Sequence, residues 1–160
     1  MQAAVDHSSA ACFVSRPSSP DPCRPFPVHK IRLRRPWLRT VDEPKQSGDR
    51  VDVPDPGHLE LREGSRLIYR RAFNRPTGLE IGDKVWLSID SYSGRSIRVL
   101  LNDQSVFQSD TREPIRIDLT TDLEAANRLE IRLAGSMEED TQTISAGLDG
   151  EVSLQIEPRR

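Results

Sequence analysis

The sequence predicts an all-β fold, an antiparallel β-sandwich, on three observations. At least four segments alternate apolar and polar residues with a period of two, the mark of strands wetted on one side only. Turn-forming residues separate these segments at short spacing. No stretch shows the 3.6-residue periodicity of an amphipathic helix longer than a turn or two, so two one-sided sheets must cover each other.

Composition narrows the function classes. With 23 Lys+Arg against 25 Asp+Glu the net charge is −2, so no global field draws the chain to nucleic acid or a membrane surface, and such a partner would need a local patch. Aromatic residues make up 5%, so the core must be mostly aliphatic. Cys12 and Cys23 both fall in an N-terminal tail, where a disulfide would staple nothing in the core. His7, His29 and His58 are scattered without metal-ligand spacing, and no cofactor motif occurs. No run reaches the length of a membrane span, and Ala10 to Val14 lacks the basic start and long apolar region of a signal peptide.

Met1 to Pro27, rich in Ser, Pro and Ala, is expected to be disordered, leaving residues 28–160 as one domain. Val28 to Arg35 reads as an edge strand, with Lys30, Arg32 and Arg34 opposite Ile31 and Leu33, before Pro36 and Trp37 interrupt it. Its basic face protects the edge from pairing, and the alternative is a strip for a sulfated glycan. Thr40 to Gly64, broken by Pro44, Pro54 and Pro56, is expected to be a long loop with a hint of strand at Val51 and Val53 and a solvated His58.

Leu67 to Phe73 is the next strand, and Lys84 to Asp90 follows, with Val85, Leu87 and Ile89 on one face and Trp86 on the other. Val99 to Val106 reads as strand, tight turn, strand, because Asn102-Asp103 tolerates positive φ; the sandwich is expected to be organised around this hairpin. Ile115, Ile117 and Leu119, then Leu129, Ile131 and Leu133, and finally Val152, Leu154 and Ile156 supply the inward faces of three further strands, with one short helical turn expected within Thr120 to Ala126.

Taken in order, these residues resemble the N-terminal sugar-binding domain of family 2 glycoside hydrolases, the group that includes β-galactosidases and β-glucuronidases. Tyr69-Arg70-Arg71-Ala72-Phe73 is similar to its Tyr-Arg-Arg-x-Phe strand, and Ile97 to Val106 resembles Val-Trp-Leu-Asn-Gly-Lys-x-Val. Ile117 to Leu123 resembles Phe-Asp-Ile-Thr-Asp-Leu-Leu, Asn127 to Leu133 resembles Asn-x-Leu-x-Val-x-Val, and Gly147 to Leu154 resembles the closing strand. Asp103 stands where the family's turn carries Gly, and the aromatic, glycine-rich loop before the Asp-Ile-Thr strand is reduced to Gln108 to Glu113. The resemblance implies a jelly-roll, galactose-binding-domain-like sandwich without the catalytic carboxylates, which lie on a separate barrel in those enzymes.

The expected function is therefore non-catalytic, with a carbohydrate as ligand; the alternative is a structural or interaction domain whose partner is another protein. Trp86, Tyr92 and Trp37 are the candidates for stacking on a sugar ring, the two tryptophans being alternatively covered by the Thr40 to Gly64 loop. Arg95 beside Tyr92, Asn102 and Asp103 at the hairpin tip, and Asp110 and Arg112 in the shortened loop complete the candidate set. Glu138-Glu139-Asp140 and Asp118 with Asp122 specify neither a glycosidase pair nor a calcium spacing.

Overall fold

Apolar alternation becomes two layers in the structure, a computed structural model that describes residues 28–42, 47–137 and 143–159. The expected tail, with Cys12 and Cys23, and the acidic run Glu138-Glu139-Asp140 lie outside the described residues. Among those described there is no helix. The strands are β1 (His29–Arg32), β2 (Trp37–Val41), β3 (Asp49–Val51), β4 (Leu59–Leu61), β5 (Arg66–Asn74), β6 (Lys84–Ile89) and β7 (Ser96–Leu101). They continue as β8 (Gln104–Ser109), β9 (Ile115–Asp118), β10 (Ala126–Ala134), β11 (Ser136–Met137), β12 (Ile144–Ala146) and β13 (Val152–Glu157).

One sheet runs β1-β13-β6-β9, the other β3-β2-β5-β10-β7-β8, and a small third sheet runs β11-β12-β4. All pairings are antiparallel. Val85, Leu87 and Ile89 of β6, Ile115 and Ile117 of β9 and Leu154 of β13 meet Leu67 and Tyr69 of β5, Ile131 and Leu133 of β10 and Val99 of β7 in a continuous core. Burying each such aliphatic side chain contributes roughly 1.5–3 kcal/mol, which makes the interleaved faces the main source of stability.

Three expectations need correction. The stretch after Pro36 is not an interruption followed by a loop: Trp37–Val41 forms β2 and pairs with β5, and β3 and β4 follow within the segment expected to be a loop. β2 was hidden because Arg39, at an inward position between Trp37 and Val41, breaks the apolar row while an ion pair with Asp55 lets it sit half-buried. The β7–β8 hairpin closes one edge of the larger sheet, and the centre belongs to β5 and β10. Its tip is as expected, with φ of 50° at Asn102 and 67° at Asp103.

β1 is an edge strand, and its two basic side chains Lys30 and Arg32 share one carboxylate, Glu151, the latter at 2.9 Å.

Candidate functional site

A buried polar anchor fixes one end of the sandwich. Asp55, 7% exposed, accepts hydrogen bonds from Arg39 Nη1 at 2.8 Å, the Tyr69 hydroxyl at 2.9 Å and the Gly57 amide at 3.2 Å. Its own amide donates to the Leu148 carbonyl at 2.8 Å, and the Leu148 amide donates to the Tyr69 oxygen at 3.3 Å. The residues following β3 and β12 are thereby tied to β2 and β5. Burial alone would lower the Arg39 pKa, but Asp55 more than reverses this and holds the guanidinium charged. Burial, reinforced by Asp55, raises the Tyr69 hydroxyl well above the ordinary phenol range.

The 91–95 turn is clamped against the same end. Ser93 and Gly147 exchange backbone hydrogen bonds of 2.8 and 3.0 Å, and the Gly150 amide donates to the Ser91 carbonyl at 3.0 Å. Gly150 is required by space, since a Cβ there would lie 2.1 Å from the Ser91 nitrogen. Gly94 is required by conformation as well, with φ of 151° and a hypothetical Cβ 2.7 Å from the Ala134 carbonyl oxygen.

These constraints assemble a polar cluster. The Ser93 hydroxyl donates to Asp149 Oδ2 at 2.9 Å and lies 3.3 Å from His58 Nε2, while the Ser91 hydroxyl donates to Asp149 Oδ1 at 3.4 Å. His58 Nε2 is itself 3.8 Å from Asp149 Oδ2. Both the serine and the carboxylate address one imidazole nitrogen, Nε2. What the cluster offers is a set of partly exposed donors and acceptors.

The shortened loop before β9 borders this cluster. Arg112 Nε donates to the Gly94 carbonyl at 3.3 Å, and the Tyr92 hydroxyl donates to the Thr111 carbonyl at 2.6 Å. The Tyr92 pKa is raised, chiefly by burial, with Arg112 opposing and Asp110 adding. On the other side of the turn, a cleft of about 500 Å³ opens on the outer face of the larger sheet, with Arg95 at its rim and Arg66, Arg98 and Arg132 along it.

Of the residues expected to bind a ligand, Tyr92, Arg95, Asp110 and Arg112 gather at this end. Asn102 and Asp103 lie at the opposite end of β7, where Asn102 accepts from the Arg128 amide at 2.8 Å and Asp103 pairs with Arg128 at 2.6 Å. Trp86 lies on the outer face of the smaller sheet, with the Arg116 guanidinium 4.1 Å over its ring and its indole donating to Glu157 at 3.1 Å. Its cover is thus Arg116, not the Thr40 to Gly64 loop. Two stacking roles meet core burial instead: Tyr92 is 4% exposed, and Trp37 is fully buried with its indole donating to the Leu33 carbonyl at 2.6 Å. His58, expected to be a solvated loop residue, faces Ser93 and Asp149. Ser93, Asp149 and the cleft residues Arg66, Arg98 and Arg132 were not singled out from sequence.

No protein-family model matches the chain, and no curated protein matches it in sequence. Solved structures do match. An FMN-binding β-glucuronidase from Faecalibacterium prausnitzii L2-6 superposes with a TM-score of 0.65 at 17% identity, over 81% of this chain and 22% of its own. The Bifidobacterium dentium β-glucuronidase complexed with coumarin-3-O-glucuronide gives 0.63 at 18% identity, over 86% and 31%. A β-D-mannosidase from Dictyoglomus thermophilum gives 0.62 at 13% identity, over 79% and 22%. The chain spans about a fifth to a third of the length of these enzymes. It shares the antiparallel sandwich fold of a domain-sized part of family 2 glycoside hydrolases.

Proposed function

We propose that this chain is a non-catalytic sandwich module that binds carbohydrate at the end built from the 91–95 turn, the 110–114 loop and the 147–151 segment. The observation that carries the reading is the cluster of His58, Ser93 and Asp149, with Arg112 bonded to the Gly94 carbonyl of the same turn and Arg95 following it. A carboxylate, a hydroxyl, an imidazole and guanidinium groups are the partners that vicinal sugar hydroxyls pair with, and the Asp55 anchor holds their backbone in place before a ligand arrives. The shared fold with enzymes acting on glycosides supports the same class of ligand. Catalysis is not part of the reading: hydrolysis of a glycoside needs two carboxylates across one bond, whereas Asp55 is closed off by Arg39 and Tyr69 and Asp149 is held by two serines.

Isothermal calorimetry of the full chain against neutral, uronic and sulfated oligosaccharides tests this. Saturable binding that Asp149→Asn or Arg112→Ala weakens several-fold supports the reading; no heat with any member of the panel overturns it. A second reading, an interaction domain docking on another protein, is favoured by the exposure of Met137 at 67% and Ile81 at 93%. It predicts a saccharide-independent complex visible by sedimentation.

A further inference from the structure

Among the described residues, the side chains lining the cleft carry more positive charge than negative, Arg66, Arg95, Arg98 and Arg132 against Glu63. Ile68, Arg132, Arg98 and Gln108 form one row across β5, β10, β7 and β8, so Arg132 and Arg98 stand directly opposite each other, an arrangement that disfavours the sheet. Glu130 engages Arg132 with one oxygen and Arg70 with the other, at 2.6 Å. Arg98 receives no carboxylate: its Nε and Nη2 both donate to the neutral Gln108 oxygen, at 3.1 and 2.7 Å. Among the described residues the side chains of Arg66 and Arg95 form no ion pair or hydrogen bond, and Glu63 is the acidic residue of the cleft wall.

The cleft exists because its floor is small. Ala134 on β10 sits between Arg66 on β5 and Ser96 on β7, with Gly135 following, so the long basic side chains rise around short ones. Met137 and Ile144 give it an apolar wall. About 500 Å³ lies within the range of small-ligand sites.

We propose that this cleft receives the carboxylate or sulfate group of an acidic saccharide, an assignment that deepens, and rests on, the carbohydrate reading above. Guanidinium forks suit the planar or tetrahedral oxyanion, the apolar wall suits a sugar ring face, and Arg95 links the cleft to the turn bearing Ser93.

The test compares the full chain with an Arg95→Gln/Arg98→Gln double variant and an Arg116→Gln control on the other sheet. Probes are a heparin-derived hexasaccharide, an oligogalacturonide, cellohexaose, inorganic sulfate and a single-stranded DNA of matched charge. The expected result is at least tenfold tighter binding of both acidic saccharides than of cellohexaose, weakening with salt, lost at least tenfold in the double variant and retained in the control. Equal binding of cellohexaose with no effect of the double variant overturns the cleft assignment and leaves the carbohydrate reading standing. DNA or inorganic sulfate binding as tightly as the saccharides also overturns it, and silence of every saccharide removes both readings.

Discussion

Replacing Asp55 by alanine probes the anchor on which the loop end depends. The substitution removes three accepted hydrogen bonds, from Arg39, Tyr69 and the Gly57 amide. It leaves the Arg39 side chain, only 16% exposed, with Asp49 at 3.7 Å as its remaining carboxylate partner. The Tyr69 hydroxyl still accepts from the Leu148 amide but has lost the acceptor for its own proton. Breaking a buried pair by removing one partner costs about 3–5 kcal/mol, a large share of a typical stability of roughly 5–15 kcal/mol. For a domain of this size that lowers the melting temperature by roughly 10–20 °C. Urea denaturation of Asp55→Ala, Tyr69→Phe and the double variant gives both the total cost and the coupling, which should exceed about 1 kcal/mol. A single-variant cost below about 1 kcal/mol, or additive effects, would refute the claim that this network holds the loops.

Other perturbations follow from the same geometry. Arg71 is half-buried without a carboxylate, its Nε and Nη1 have no hydrogen-bond partner, and burial lowers its pKa, so Arg71→Met should gain about 1 kcal/mol by denaturation after the modest contact with Trp37 at 5.8 Å is lost. Gly150→Ala should cost about 1–3 kcal/mol and move the Ser93 and Asp149 amide resonances, because its Cβ must push the Ser91 backbone away. The Asp118 carboxyl is held below the usual range first by Thr120; for Glu130, burial pushes upward but the hydrogen bonds from Arg70 and Arg132 outweigh it. Stability from both is present above the unfolded carboxylate pKa and lost as pH falls below about 4, so Glu130→Gln should flatten the acid limb of a melting-temperature profile. Tyr69 has the opposite sign, its contribution being full below about pH 10 and lost above it, a loss that Tyr69→Phe should abolish.

Strands were legible where every inward residue is aliphatic, as in β6, β9 and β13. They were illegible where a charge occupies an inward position, as Arg39 does in β2, or where the strand is as short as β4. The hairpin was recognised from Asn102-Asp103, yet turn chemistry is local and says nothing of whether the strands it joins are central or peripheral. The site was legible in part, through the loop and turn residues around Tyr92. His58, Ser93 and Asp149 meet across separations of 35 and 56 residues, and Arg98 and Arg132 become neighbours only through the β7–β10 register. Such juxtapositions follow from sheet order, which a single sequence does not display.

The most direct measurement of the central claim is a two-dimensional amide NMR titration of the full chain with neutral, uronic and sulfated oligosaccharides. Saturable shifts are expected at Ser93 to Arg95, Asp110 to Arg112 and Asp149, extending to Arg98 and Arg132 with the acidic members, while the hairpin tip at Asn102 and Asp103 stays still. A dispersed, folded spectrum that no saccharide perturbs, or shifts confined to the hairpin tip or to Trp86, would contradict that claim.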